Sequence, residues 1–362
     1  MSAADMAGMS TDRMTPRERV LAALNFERPD RVPVTNAICD NPLYRLGQAA
    51  LRLLREFPND FGDPPERLPS RDGRYVGRDG LWRRTWTDEW GCTHREEFYG
   101  IEGIIVDRPL ASWADYDEYE LPPPPPHDSD DQQVCRDRAE TLSQKRRYYV
   151  RKCFFRTFER LHFLRGFENV MMDLAAGEPR LADLADRITE RNIGEIRWAA
   201  ATGADAVVQS DDWGTQQGLM ISPQLWREFF KPRYRRSFEV AAELGLDVWF
   251  HTDGYTLPIL ADLAEIGVKV VNPQFSCHNL RELADAIRAN RLAVMTDLDR
   301  QRLIPFATPG ELRDHVREVL GVFEGRRGGL IGHAAFRGPV PLANIRAVFE
   351  AWREFGADES SD

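Results

Sequence analysis

From Tyr148 to Phe355 the chain alternates short apolar runs with longer amphipathic segments, and no other feature constrains its fold as much. Tyr148–Phe154, Ala206–Gln209, Val248–His251, Val268–Val271, Leu292–Met295 and Leu330–His333 read as strands. Between and after them Leu181–Ala201, Pro223–Glu243, Thr256–Glu265, Leu280–Ala289, Pro309–Phe323 and Pro341–Phe355 read as helices. Continuous apolar strands separated by helices describe a parallel sheet covered on both faces. No G-x-G-x-x-G follows a strand, which favours a closed barrel over an open dinucleotide-binding sheet. The expected fold is therefore α/β: a single (β/α)8 TIM barrel carrying an N-terminal helical and hairpin insertion.

Ahead of that repeat, Thr15–Phe26 reads as a helix with Thr15 as N-cap and Pro16 at its first position. Arg31–Thr35 is a first short strand and Pro42–Phe57 an amphipathic helix. From Asp60 to Val106 glycine, tryptophan and charged residues alternate with short runs, as hairpins do. The insertion is placed at about 60–147. It includes the five prolines Pro122–Pro126, read as a stiff surface strap, and a helix around Gln132–Lys145. The barrel spans 15–356, with disordered ends at 1–14 and 357–362.

With 48 basic against 58 acidic residues, a net charge of −10 offers no global field to recruit nucleic acid. An anionic small molecule is still compatible, since a local arginine cluster overrides net charge. No window reaches the roughly 18 to 20 apolar residues of a membrane span. The first residues lack the basic start and apolar core of a signal peptide. Cys39, Cys92, Cys135, Cys153 and Cys277 are scattered without a CxxC pair, so free thiols in a reducing cytoplasm are expected.

Chemistry concentrates where strands end. Asp211 and Asp212 close the Ala206 run; adjacent acids can anchor a metal, raise one another's pKa for proton transfer, or simply cap the next helix. Gln216 follows in a tight loop and is expected to line a pocket. His251 and Asp253 sit two apart, on one side of an extended segment, and suit a metal site with nitrogen and oxygen ligands. His333, ending the last apolar run, is a third candidate ligand; Cys277 and His278 are weaker ones. Asp297 and Asp299 form another acid pair, of which one is expected to serve the site and the other to cap a helix. Arg156 and Arg160 lie among phenylalanines and suit recognition of a carboxylate or flat ring, or else belong to a core helix with snorkelling basic ends.

Several blocks together resemble the uroporphyrinogen decarboxylase superfamily, in consistent order from about Thr15 to Phe355. They are TPRERVLAALNFERPDRVPV, FENVMMDL, GADAVVQSDDWGTQQGLMISPQLWREFFKP, HTDG, NPQ, DLDRQRLI and PVPLANI. The resemblance implies one (β/α)8 barrel and either decarboxylation or methyl transfer to or from a corrinoid. The decarboxylase branch carries two arginines after its first strand, where this chain has VTNAICDNPLYRLGQ. The thiol-alkylating branch binds zinc through H-x-C and a later Cys. Here His251 matches that His, while Asp253 stands in the Cys position and His333 near the third ligand.

The leading expectation is thus a metal-assisted methyltransferase with a tentative zinc ion on His251, Asp253 and His333. Asp211, Asp212 and His251 would be catalytic, with Arg156, Arg160, Gln216, Asp297 and Asp299 around the substrate. With no D-x-H-x-x-G motif in this sequence, the corrinoid is expected on a separate carrier protein. A carboxy-lyase acting on a smaller or tetrapyrrole-like acid and a non-catalytic binding barrel are the alternatives, and a homodimer is compatible with the insertion.

Overall fold

The structure is a computed structural model that describes residues 13–57, 59–101 and 103–357. The proposed disordered segments 1–14 and 357–362 lie almost wholly outside the described residues.

Among the described residues ten strands occur in chain order. They are β1 (Val34–Thr35), β2 (Arg84–Thr87), β3 (Thr93–Glu96), β4 (Ile104–Asp107), β5 (Arg151–Phe155), β6 (Ala206–Ser210), β7 (Asp247–Thr252), β8 (Val268–Pro273), β9 (Ala293–Met295) and β10 (Leu330–His333). Seven of them form one parallel sheet in the order β1-β10-β9-β8-β7-β6-β5, while β2, β3 and β4 form a separate antiparallel sheet. The expectation of eight barrel strands meets seven among the described residues.

An irregular segment links the two edge strands. Asp60 N–H donates to Val34 O (2.9 Å), and Asp60 Oδ2 accepts from Val34 N–H (2.8 Å). On the other side, Asp63 Oδ1 accepts from Tyr148 O–H (2.7 Å), just ahead of β5. The local sequence explains the irregularity, since Pro64 and Pro65 lack the N–H a ladder needs and Gly62 has no side chain to pack on a sheet. Charge supplies part of what the ladder does not: the fully buried Asp60 takes Arg19 Nη1 at 2.6 Å and Arg31 Nη1 at 2.7 Å. Arg19 also pairs with Asp30 at 2.6 Å.

Period-two alternation sorts each strand into a wall-facing and an axis-facing set. Ala206, Val208, Trp249, Val270, Ala293, Met295 and Ile331 form an inner core with Tyr149. Val20 and Leu24, from the helix Pro16–Leu24, close it at the end where the strands begin. That helix has the expected Thr15 cap, completed by Glu18 as a capping box. The opposite residues, such as Val207, Val248, Phe250 and Val271, pack outward in the larger core between sheet and helices.

Two expected helices are broken. Gly47, at φ +60°, divides the first into Asp40–Leu46 and Gln48–Glu56. The second ends at Phe229 and restarts at Lys231, where Pro232 cannot donate the N–H that continuity requires. Among the described residues no helix is long and apolar enough to cross a membrane.

Candidate active site at the strand ends

A cavity of about 450 Å³ opens where the parallel strands end. Its lining follows from register. Ser210 pairs with His251, His251 with Asn272, and Thr35 with His333, so the last axis-facing residues of neighbouring strands stand side by side. Asp212, Asp253, Arg151, Arg156, Met295 and Arg337 complete much of the wall.

The loops after β6 and β7 continue to pair beyond the sheet. Asp211 N–H donates to His251 O (3.1 Å), Gly214 N–H to Asp253 O (3.0 Å) and Tyr255 N–H to Thr215 O (2.7 Å). This approach is possible only without side chains: a Cβ on Gly254, whose φ is +78°, would lie 2.0 Å from Gly214 O. The result holds Asp212 against Asp253, whose N–H donates to Asp212 Oδ1 (2.9 Å).

His251 faces both acids, its Nε2 lying 3.8 Å from Asp212 Oδ1 and 3.8 Å from Asp253 Oδ1. Donor atoms of these three side chains all lie within 4.8 Å of one another. The tautomer of His251 follows from its neighbour. Asn272 Nδ2 donates to Met295 O (2.9 Å) and Thr296 O (3.3 Å), which turns Oδ1 toward His251 Nδ1 at 2.7 Å. Nδ1 therefore carries the proton in neutral imidazole, and the Nε2 lone pair points at the acids.

Arg300 donates to Asp253 Oδ2 and lies 3.3 Å from Asp297 Oδ2. Asp253 Oδ1 is buried and has no hydrogen-bond partner among the described residues. Burial raises the Asp212 pKa and the negative charge of Asp253 raises it further, against the pull of His251. Burial also pushes Asp297 up to about 6, with Arg300 opposing. A cation placed among Asp212, His251 and Asp253 would satisfy the free oxygen and relieve the facing carboxylates.

The remaining candidates separate clearly. Asp211, indistinguishable from Asp212 in sequence, is fully buried and lines no part of the cavity. It accepts from Thr157 N–H (3.0 Å), Glu159 N–H (2.8 Å), Gln209 Nε2 (2.6 Å) and Tyr234 O–H (2.6 Å), anchoring the start of the helix Phe158–Arg165. His333 lines the cavity but lies outside the three-donor group. Its Nδ1 faces Thr35 O at 3.5 Å, and burial drives its pKa down to about 3, so it is neutral.

Arg156 reaches the cavity and pairs with Glu159 at 3.1 Å. Arg160 does not reach it: it lies 4.3 Å over the Trp90 ring and 3.3 Å from Asp88, fastening the β2–β3 hairpin to the helix Phe158–Arg165. Gln216 is exposed in the Gly214–Leu219 turn, outside the cavity lining. Asp299 caps the backbone of Gln301 and Arg302, whereas Asp297 lies outside the cavity lining and meets Arg300 at 3.3 Å. His278 accepts from Thr256 N–H at Nε2 (3.1 Å) and is structural.

Sequence reasoning gave no role to Asn272, Arg300, Arg151 or Arg337. A polar Asn272 at an axis-facing position of an otherwise apolar run was the available signal for the first.

The uroporphyrinogen decarboxylase (URO-D) family model matches residues 99–355. No curated protein matches the sequence. Among solved structures, a methyltransferase from Methanosarcina mazei is similar over 95% of this chain and 100% of its own, with 17% identity and a TM-score of 0.64. A glycosylated endo-β-1,4-xylanase from Gloeophyllum trabeum reaches only 0.38, at 12% identity over 59% of this chain and 77% of its own. With its matched region running from the β3–β4 connection to the last helix, the chain belongs to the uroporphyrinogen decarboxylase (URO-D) family.

Proposed function

We propose that this protein is a metal-assisted methyltransferase, moving a methyl group between a small methylated substrate and a corrinoid borne by a partner protein. One observation carries the metal site: Asp253 Oδ1, buried and unpartnered, faces the Nε2 lone pair of a histidine whose tautomer is held by Asn272. One imidazole and two carboxylates, open on one side to a cavity, fit a catalytic divalent ion such as zinc. Bound there, the ion would supply Lewis acidity to the heteroatom that gives or receives the methyl group. The oxygen-rich donor set suits an oxygen-bonded methyl group better than a thiol. Methyl as the transferred group is supported by the sequence blocks and by the likeness to the M. mazei methyltransferase.

The chain's own residues divide the remaining work. Asn272 orients His251, Arg300 engages Asp253 Oδ2 so that Oδ1 is left for the ion, and the Gly214–Gly254 contact holds both acids in place.

The test is metal content by mass spectrometry on protein purified without added metal. Near-stoichiometric divalent metal in wild type, lost in His251→Ala, is expected; metal-free wild type that takes up none on titration overturns the site. Methyl transfer is then assayed with and without a corrinoid carrier, and turnover in the absence of both carrier and corrinoid overturns the partner.

A further inference from the structure

We propose that Arg151 is the anion-binding residue of this cavity and that the substrate is a small carboxylate, held at Arg151 with its reacting end toward Asp212, His251 and Asp253. The inference rests on the cavity being the substrate site proposed above, and it names the substrate class.

Arg151 opens β5 and reaches the cavity because that strand is irregular. The pairing with β6 shifts register between Lys152 and Phe154, and Cys153 takes a left-handed φ of +60°. Lys152, over Trp198 at 5.4 Å, and Cys153, whose Sγ donates to Glu195 O at 3.3 Å, both face the helix Pro179–Thr202. With two successive residues turned outward, Arg151 and Phe154 both line the cavity. A bulge beside a site commonly re-aims side chains in this way.

The Arg151 guanidinium lies 4.4 Å from the Trp249 ring centroid and 4.7 Å from that of Phe61, with Met295 Sδ 3.8 Å from Nη1. Among the described residues no carboxylate pairs with it. The buried arginines Arg19, Arg165 and Arg191 differ from half-buried Arg151: Arg19 has Asp30 and Asp60, Arg165 has Asp173 at 2.9 Å, and Arg191 has Glu89 at 2.8 Å. A half-buried cation without a counter-charge is only partly hydrated, and an anion entering the cavity would supply the missing charge. Burial draws the Arg151 pKa down to about 10, which still leaves it charged at neutral pH.

The geometry favours a carboxylate over a bulkier oxyanion. Trp249 and Phe61, perpendicular to one another with ring centroids 5.9 Å apart, crowd one side of the guanidinium and Met295 Sδ stands at Nη1, so the N–H groups turned away from them are left for a ligand, and a planar carboxylate matches a guanidinium edge with two parallel hydrogen bonds. Asp212 and Asp253 repel the same group, which fixes the direction in which the substrate lies.

The test is calorimetric binding of benzoate and its uncharged isostere benzamide to the full-length protein, without and with zinc. Variants R151M and R151K are compared with wild type for binding, zinc uptake and melting temperature. Benzoate is expected to bind at least tenfold more tightly than benzamide. R151M should lose at least tenfold in benzoate affinity, keep wild-type zinc uptake, and melt no lower than wild type because it removes an unpaired cation; R151K should lie between. Equal binding of the two probes, no binding of either, or wild-type benzoate affinity in R151M overturns the proposal. So does R151M that melts lower and loses zinc, since Arg151 is then structural. Failure of the metal reading is separate: it shows as wild type without zinc and leaves the benzoate–benzamide comparison standing.

Discussion

Asn272 and His251 are register partners on neighbouring parallel strands, and their side chains meet at 2.7 Å between Oδ1 and Nδ1. The amide is itself locked by the carbonyls of Met295 and Thr296, so the orientation of the imidazole is inherited from the backbone of the following strand. Asn272→Leu is expected to weaken zinc affinity about 10- to 100-fold, the usual cost of losing a partner behind a ligand. Zinc titration with a competing chelator reads it out; unchanged affinity would remove Asn272 from the site.

Asp211 and Asp212 should respond in opposite ways. Asp211→Ala strands several buried donors and is expected to cost about 3 to 5 kcal/mol of stability, with zinc per folded molecule unchanged. Asp212→Ala removes a carboxylate that faces another and should leave stability within about 1 kcal/mol while abolishing stoichiometric zinc. Denaturant melts alongside metal analysis distinguish the two, and an inverted pattern would exchange their roles.

Gly254→Ala tests the loop contact that brings Asp253 to Asp212. The new methyl would meet Gly214 O at 2.0 Å on a backbone at φ +78°. A loss of about 3 kcal/mol is expected from strain and clash together, with weakened zinc binding in whatever folds. A neutral substitution would mean that the loops can separate without cost.

His162 sets part of the acid limb of stability. Burial lowers its pKa to about 3, and its Nε2 is enclosed without a hydrogen-bond partner between Phe158 and Phe167. The folded-state value lies below the unfolded 6.5. Neutral His162 therefore stabilises fully above pH 6.5, and that contribution is lost as pH falls toward the folded-state pKa. At pH 5 the loss reaches about 2 kcal/mol. His162→Phe should remove this share, so that the difference between unfolding free energies at pH 7.5 and pH 5 shrinks by about that amount; an unchanged difference would place the acid sensitivity elsewhere.

The strand–helix repeat was legible because short apolar runs and amphipathic helices alternate without tertiary help, and the runs at Ala206, Val248, Val268, Leu292 and Leu330 all became strands of one parallel sheet. What period and composition could not show was the seven-strand pairing with an irregular segment at Asp60–Asp63, followed by Pro64 and Pro65. That segment is held by Asp60, whose partners Arg19 and Arg31 are remote in sequence. The bulge at Cys153 was equally hidden, since a register shift belongs to a pair of strands and not to either one.

By itself, the sequence determined that acids and imidazoles would gather at strand ends, because alternation of side chains and the position of each run are local properties. Only the tertiary structure decided which of them meet. It turned Asp211 away from the cavity, against Tyr234, and Asp212 into the cavity toward His251, fastened Arg160 to the β2–β3 hairpin, and left His333 in the cavity wall but outside the three-donor group. The physical reason is that hydrogen-bond partners and charge compensation depend on distances across strands and loops. Those distances are set when Gly214 and Gly254 close on one another and Asn272 comes into register with His251.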